Sequence, residues 1–156
     1  MSLDGIDGQI IAALVENARS SYAEIGSQVG LSAPAVKRRV DRLLSSGAIT
    51  GFSARVDASK LGWTTEAYVE LFCRGRTSPA EIGAAVNRHP EVAGACTVTG
   101  EADALIHIRA ADMQHFEQVV ERISAEPIVL RTRSVIVLSR LVERPDVSFS
   151  QSLTDR

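Results

Sequence analysis

Between Asp4 and Asn17 the apolar residues Ile6, Ile10, Ile11, Leu14 and Val15 recur at steps of three and four, which predicts an amphipathic first helix. Ser21-Tyr22-Ala23-Glu24 then has the form of a capping box, in which the hydroxyl takes the N–H three residues on and the glutamate reaches back. A short second helix is predicted from there, with Ile25 and Val29 on its buried face and Gly30 where the chain must turn left-handed to stop. Ser32 is placed to cap a third helix, with Pro34 in the first turn, where its missing N–H does no harm.

Helix, glycine-containing turn and helix in that order make a helix-turn-helix, winged or plain, over residues 1–50. At ~100° per residue the third helix turns Val36, Val40, Leu43 and Leu44 inward. Pro34, Arg38, Asp41 and Arg42 point outward, flanked by Ala35 and Lys37. Small residues near a helix start let the backbone approach base edges, and arginine or lysine can bond guanine or phosphate. Ser32, Pro34, Ala35, Lys37, Arg38 and Arg42 are therefore the candidate DNA-binding residues. Arg39 projects nearer the apolar side and is open between an ion pair and a DNA contact. The bland reading of the same segment is a solvated basic face. Past Gly47, residues 49–56 read as extended chain, a linker strand within a hinge over 51–64.

Residues 65–144 change period. Thr65 to Arg74 has strand composition, and Ser78, Pro79 and Glu81 form a second capping box that opens a helix ending at His89-Pro90. Strands over 92–99 and 103–110 flank Gly100-Glu101-Ala102, Asp112 can cap a helix striped by Phe116, Val119, Val120 and Ile123, and 133–142 supplies a last strand. The order βαββαβ predicts a ferredoxin-like four-stranded antiparallel sheet with both helices on one face, so the fold class is α+β. Alternation along the strands is poor, because Tyr68, Phe72 and Leu105 sit opposite the main apolar set. The uncovered face therefore calls for a partner, and a second copy of the chain is the simplest. Residues 145–156 are polar and read as a loose tail, and Trp63 as a packing residue.

Composition excludes more than it selects. Hydrophobic residues make up 45% and charged residues 23%, as in ordinary globular proteins, and no apolar run approaches the ~18 residues of a membrane span. Asp4 and Asp7 sit where a secretory leader would be basic and then apolar, so a cytoplasmic protein is expected. Cys73 and Cys96 lack the number and spacing of a disulfide framework or zinc site and are expected to be buried thiols. His89, His107 and His115 fall on three elements without metal-ligand spacing, and neither a metal nor another cofactor is expected. No nucleophile and base, phosphate loop or paired carboxylates suggest an enzyme. Net charge is −2, but Lys37, Arg38, Arg39 and Arg42 lie within six residues, and that concentration favours double-stranded DNA as the partner.

Leu3-Asp4 with Asp7 and Ile10-Ile11, Asn17-Ala18-Arg19, Leu31-Ser32 with Val36 and Arg39-Val40, Leu43 through Gly47-Ile49, and the Gly100 and Asp103 pair form a pattern that resembles the Lrp/AsnC family of transcription regulators over nearly the whole chain. The resemblance implies a DNA-binding domain joined to an effector domain, a homodimer assembling toward an octamer, and an amino acid or similar metabolite as effector. It also implies an effector site at Thr99, Gly100, Glu101, Ala102 and Asp103, with small walls because Ala102 and Ala104 stand where many members carry an aromatic residue. Read without the family, Gly100 can present backbone N–H groups to a carboxylate and Asp103 can pair with an α-ammonium, or the segment is a plain hairpin turn. A weakly specific architectural DNA-binding protein without effector is the competing function.

Overall fold

The computed structural model describes residues 3–142, so the tail expected over 145–156 lies outside the described residues. The chain divides into two compact units at Ala54/Arg55, a few residues beyond the boundary expected at 50.

The first unit is built from α1 (Gly5–Glu16), α2 (Tyr22–Val29) and α3 (Ala33–Ser45). Each start is chemically marked. Asp4 caps α1 and exchanges bonds with Asp7, its side chain accepting from the Asp7 N–H at 2.7 Å. Ser21 and Glu24 form the expected reciprocal box on α2. At the end of α2, Gly30 takes φ 70°, a left-handed conformation that costs glycine little, and the N–H groups of Gly30 and Leu31 both donate to the Gly26 carbonyl. Two hydrogen bonds accepted by one carbonyl make the turn into α3 tight. Ile10, Ile11, Leu14, Ile25, Val36, Val40 and Leu43 form the core, with Ile6, Val29, Leu31 and Ile49 packed on it. Burying one such side chain is worth about 1.5–3 kcal/mol. Val15 and Leu44, expected inside, are exposed at the edges of their stripes. The described residues of this unit hold no strand, hence no wing, and 51–57 make no strand pairing before a 3-10 turn at Ala58–Leu61.

The second unit contains β1 (Thr65–Cys73), α4 (Pro79–Val86), β2 (Val92–Thr97), β3 (Ala104–Ala110), α5 (Met113–Ser124) and β4 (Val129–Ile136). The sheet order is β2-β3-β1-β4 with every neighbour antiparallel, the ferredoxin-like arrangement. Ile82 and Val86 of α4 and Phe116, Val119 and Ile123 of α5 pack with Ala67, Val69, Leu71, Ile106 and Ile108, so both helices cover the same face. β4 begins four residues before its expected start, because Val129 is drawn into the core opposite Cys73 and a bulge after Phe72 sets the register.

Alternation is cleaner than the sequence suggests. β3 reads buried and half-buried by turns from Ala104 to Ala110, with Leu105, His107 and Arg109 on the open side. The open face is mixed and charged: Glu66 bonds both His107 and Arg140, Glu70 pairs with Arg133, Tyr68 stacks on His107, and the Arg131 guanidinium lies 3.4 Å from the centre of the Phe72 ring. Phe72 is thus covered within the chain by a cation–π contact and is not an apolar patch. Cys73 is buried as expected, but Cys96 lies on edge strand β2, which no helix covers along most of its length, and is exposed.

Candidate functional site

α3 carries the candidate DNA face. Ser32 occupies the N-cap position, but its side chain makes no capping bond, contrary to the sequence reading, so its hydroxyl is left to other partners. Ser32, Pro34, Lys37 and Arg38 are exposed, and Ala35 is half-buried. Lys37 donates to Asp41 one turn on at 2.6 Å, a pair on the open helix surface that raises the lysine's pKa through the hydrogen bond and then the charge of Asp41. Arg38 has no ion-pair partner among the described residues.

Arg42 departs from the helical projection. It was placed outward and free for DNA, yet its Nη2 reaches back to α1 and donates to both oxygens of Asp7, at 2.8 and 2.7 Å. Arg39 joins it, its Nη1 donating to Asp7 at 2.7 Å and to Asp4 at 2.8 Å. Asp7 itself is only 1% exposed. Burying a carboxylate away from water is costly unless cations and hydrogen-bond donors meet it, which is why a long side chain that starts outward bends inward. The bond from Arg39, and after it the bond from the Asp7 N–H, hold the Asp4 carboxyl below its ordinary pKa; Arg39 is shifted up by Asp4 and then Asp7. Between Arg38, Arg39 and Arg42 the surface sinks into a recess of about 210 Å³.

The second candidate site is the β2–β3 connection. Thr99, Gly100, Glu101 and Asp103 are exposed, and Gly100 takes φ 121°. Ala102 is buried, so its methyl faces the protein and forms no wall of an exposed pocket. Asp103 bonds both across the turn and beyond it: its carbonyl accepts from the Val98 N–H at 3.3 Å, its Oδ2 accepts from the Cys73 N–H at 2.7 Å and its own N–H donates to the Leu71 carbonyl at 2.9 Å. The carboxylate is thereby fixed against the end of β1. Burial, followed by the nearby Asp103 charge, pushes the Cys73 thiol up. Among the described residues no group of three or more His, Cys, Asp or Glu is placed to hold a metal.

Three residues that shape these sites escaped the sequence reading. Asp7 looks like one more polar residue in a first turn, and only its position one turn before Ile10 and Ile11 on the buried stripe, opposite two arginines, marks it. Gly26 lies inside α2 against the following turn: a Cβ there would overlap the Leu31 carbonyl oxygen. Its signal was a helix-interior glycine beside Ile25 on the buried stripe. Glu91 is buried and accepts from Arg122 at 2.6 Å and from His115 at 3.0 Å, fastening α5 to the start of β2. The Ala111 N–H donates to His115 Nδ1, which puts the imidazole proton on the nitrogen facing Glu91.

Comparison with known proteins places both units. The AsnC-type helix-turn-helix domain matches residues 3–44 and the Lrp/AsnC ligand binding domain matches residues 66–147. The HTH-type transcriptional regulator Rv2324 of Mycobacterium tuberculosis is 54% identical over 91% of this chain and 96% of its own length. Among solved structures, a feast or famine regulatory protein of M. tuberculosis complexed with L-methionine is 31% identical with a TM-score of 0.85, covering 91% of this chain and 96% of its own. A transcriptional regulator of Neisseria meningitidis in complex with L-Met is 25% identical with a TM-score of 0.88, covering 96% and 98%.

Proposed function

The chain belongs to the Lrp/AsnC family of transcriptional regulators, and from that premise we propose that it reads a specific double-stranded DNA site with α3 and answers through the β2–β3 loop to a small metabolite, an amino acid being the expected class. The observation that carries the DNA reading is the outward strip of α3: an N-terminal end of Ser32, Pro34 and Ala35, then Arg38, which has no ion-pair partner among the described residues. In a helix-turn-helix the start of the second helix contacts base edges, and small residues there let it enter the major groove. Arg38 is placed to follow it and bond guanine or phosphate.

Two relatives bound to L-methionine support an amino-acid effector. Thr99, Gly100, Glu101 and Asp103 offer the chemistry for one: backbone N–H groups at Gly100 for a carboxylate, and acidic side chains for an ammonium. The open sheet face, with Tyr68 and Val135 exposed among its ion pairs, is the surface offered to a second copy in a homodimer that assembles further toward an octamer. A dimer sets two α3 helices on successive major grooves, so the operator is a rough palindrome with half-sites about 34–36 Å apart or a multiple of it. Action on DNA implies the cytoplasm.

Arg38→Ala tests the reading face. It is expected to weaken binding to a duplex enriched by the parent protein from a randomised pool, and equal affinity at matched salt would discard α3 as the reader. A preference of less than ~10³ for the enriched duplex over random DNA would favour an architectural protein instead. A melting-temperature screen against all the amino acids tests the effector, since a ligand that binds only the folded state raises the transition. Sedimentation as a monomer at micromolar concentration would remove the dimer.

A further inference from the structure

We propose that Arg38, Arg39 and Arg42 together form a seat for one backbone phosphate of DNA, and that Asp7, buried behind them, is the positioning residue that keeps the seat in shape. The proposal rests on α3 facing DNA, but it gives these arginines a task other than base reading. Arg38, Arg39 and Arg42 stand at helical steps of one, three and four, so their side chains leave α3 within an arc of ~100°. They line a single recess of about 210 Å³, room for a tetrahedral oxyanion with water beside it. The side chains of Asp7 and Asp4 balance two of the three charges, leaving one positive charge for one phosphodiester.

The donor count agrees. A guanidinium has five N–H donors in a planar fork. Arg39 gives Nη1 to the clasp with Asp4 and Asp7, and Arg42 gives Nη2 to Asp7. The remaining donors of both forks, and all those of Arg38, are left for a ligand. Because Asp7 is buried and takes bonds from both forks, two of the three guanidiniums are already held when the ligand arrives, which lowers the ordering cost of binding.

Tethering also decides against base reading. A guanine contact needs an extended arginine whose fork lies in the plane of the base edge. Arg39 and Arg42 are drawn back to α1 and sit at the middle of α3 and beyond it, whereas the bases fall to the residues at the start of the recognition helix. A phosphate oxygen accepts from several directions and tolerates three donors converging from one side.

The test compares the parent with Arg38→Gln, which removes an exposed side chain with no ion pair among the described residues and is expected to leave the fold intact. Two probes are needed: a duplex enriched by the parent from a randomised pool, and a scrambled duplex of the same length. A phosphate seat requires Arg38→Gln to weaken both by the same factor, about tenfold, and to reduce the slope of log K against log salt by ~0.9 for each protomer bound. Single neutral methylphosphonate links walked along the enriched duplex are expected to weaken the parent at one backbone position per half-site and to leave Arg38→Gln unchanged there. Loss confined to the enriched duplex, with an unchanged slope, would show Arg38 reading a base and overturn the seat while keeping α3 on DNA. No loss on either duplex would overturn both.

Millimolar inorganic phosphate at constant ionic strength is expected to leave duplex binding unaltered; selective displacement from the parent but not from Arg38→Gln would assign the recess to a free anion instead. Asp7→Asn, confirmed folded by hydrogen exchange, releases one of the balanced arginine charges and is expected to steepen the salt slope while losing the methylphosphonate position effect. An intact position effect in that variant would make Asp7 structural only and remove its positioning role.

Discussion

Replacing Asp7 by alanine tests the clasp between α1 and α3 most directly. The substitution deletes a carboxylate that is 1% exposed and that accepts from Arg39 at 2.7 Å and from Arg42 at 2.8 and 2.7 Å. Removing one partner of a buried ion pair costs about 3–5 kcal/mol when the other charge is stranded. Here it is not fully stranded: the Arg42 side chain is 47% exposed and can turn to water, so the lower end, about 3 kcal/mol, applies. At 1.4 kcal/mol per tenfold, that is roughly a 150-fold rise in the opening equilibrium of the helical unit. Hydrogen exchange reads it locally, because the amides of Val36, Val40 and Leu43 lie in that unit's core and those of Val69 and Ile106 in the sheet serve as the control. Asp7→Asn, which keeps an acceptor of the same shape, should lose less. In a double-mutant cycle with Arg42→Ala, the second change should cost far less once Asp7 is gone. Exchange at Val40 altered by less than about threefold in Asp7→Ala would refute the reasoning, since the clasp would then contribute almost nothing.

Three further changes have definite outcomes. Gly26→Ala places a methyl into the Leu31 carbonyl and disturbs the two bonds that Gly30 and Leu31 make to the Gly26 carbonyl, so it should destabilise the helical unit by about 3 kcal/mol although alanine is the better helix former by about 1; a denaturation midpoint at or above the parent's would contradict it. Burial raises the pKa of Glu91, but the bonds from Arg122 and His115 outweigh it and leave it below the ordinary value, so its contribution is complete above the unfolded glutamate pKa of about 4.3 and is lost as pH falls through the lower folded value. Glu91→Gln should therefore flatten the loss of stability below about pH 4.5, and an acid limb identical to the parent's would exclude that contribution. Asp103→Ala leaves the Cys73 N–H without its acceptor and should cost about 1–2 kcal/mol even in the absence of any effector, whereas Asp103→Asn should recover most of it; urea titrations of the two variants separate the structural role of that carboxylate from its proposed contact with a ligand.

Elements set by local chemistry were legible in the sequence, and those set by distant partners were not. The capping boxes at Ser21 and Ser78, the stop at Gly30 and the cap at Asp112 are contained within four or five residues, and the helices start and stop there. The extent of β4 depends instead on which residue of β1 lies opposite, and the bulge after Phe72 that decides it has no signature in Val129 or Leu130. The same division runs through the site. A helical projection gives the direction of a Cα–Cβ bond correctly, but an arginine ends several ångströms further on, and a buried aspartate 35 residues away determines where Arg42 goes. Asp103 was seen as a loop residue because its partner, the end of β1, is 30 residues distant. The open face of the sheet looked apolar from Tyr68, Phe72 and Leu105, and became a charged surface once Arg131, Arg133 and His107 were laid across it by strand pairing.

That correction changes the electrostatics of DNA binding. Four cations within six residues suggest strong, salt-dependent attraction, yet Lys37 is paired with Asp41, and Arg39 and Arg42 share Asp7 and Asp4. The net field of α3 is close to that of Arg38 alone. Each neutralised phosphate contributes ~0.9 to the salt slope, so one copy of α3 supplies a slope near one and correspondingly little non-specific affinity. A helix so weakly charged holds a site only when several copies act together, because linking binding events multiplies affinity without adding contacts. By the same reasoning it should discriminate better, since the non-specific term that competes for every stretch of DNA would be small while the base-edge contacts proposed for Ser32, Pro34 and Ala35 would be unaffected. The carboxylates paired with the cations of α3 are therefore expected to act on selectivity: replacing Asp41, one turn along the same helix, by asparagine frees Lys37, and should raise affinity for random DNA more than for the enriched duplex, narrowing the ratio between them. An unchanged ratio would mean that Lys37 does not sense the DNA backbone, and would confine the electrostatic argument to the three arginines.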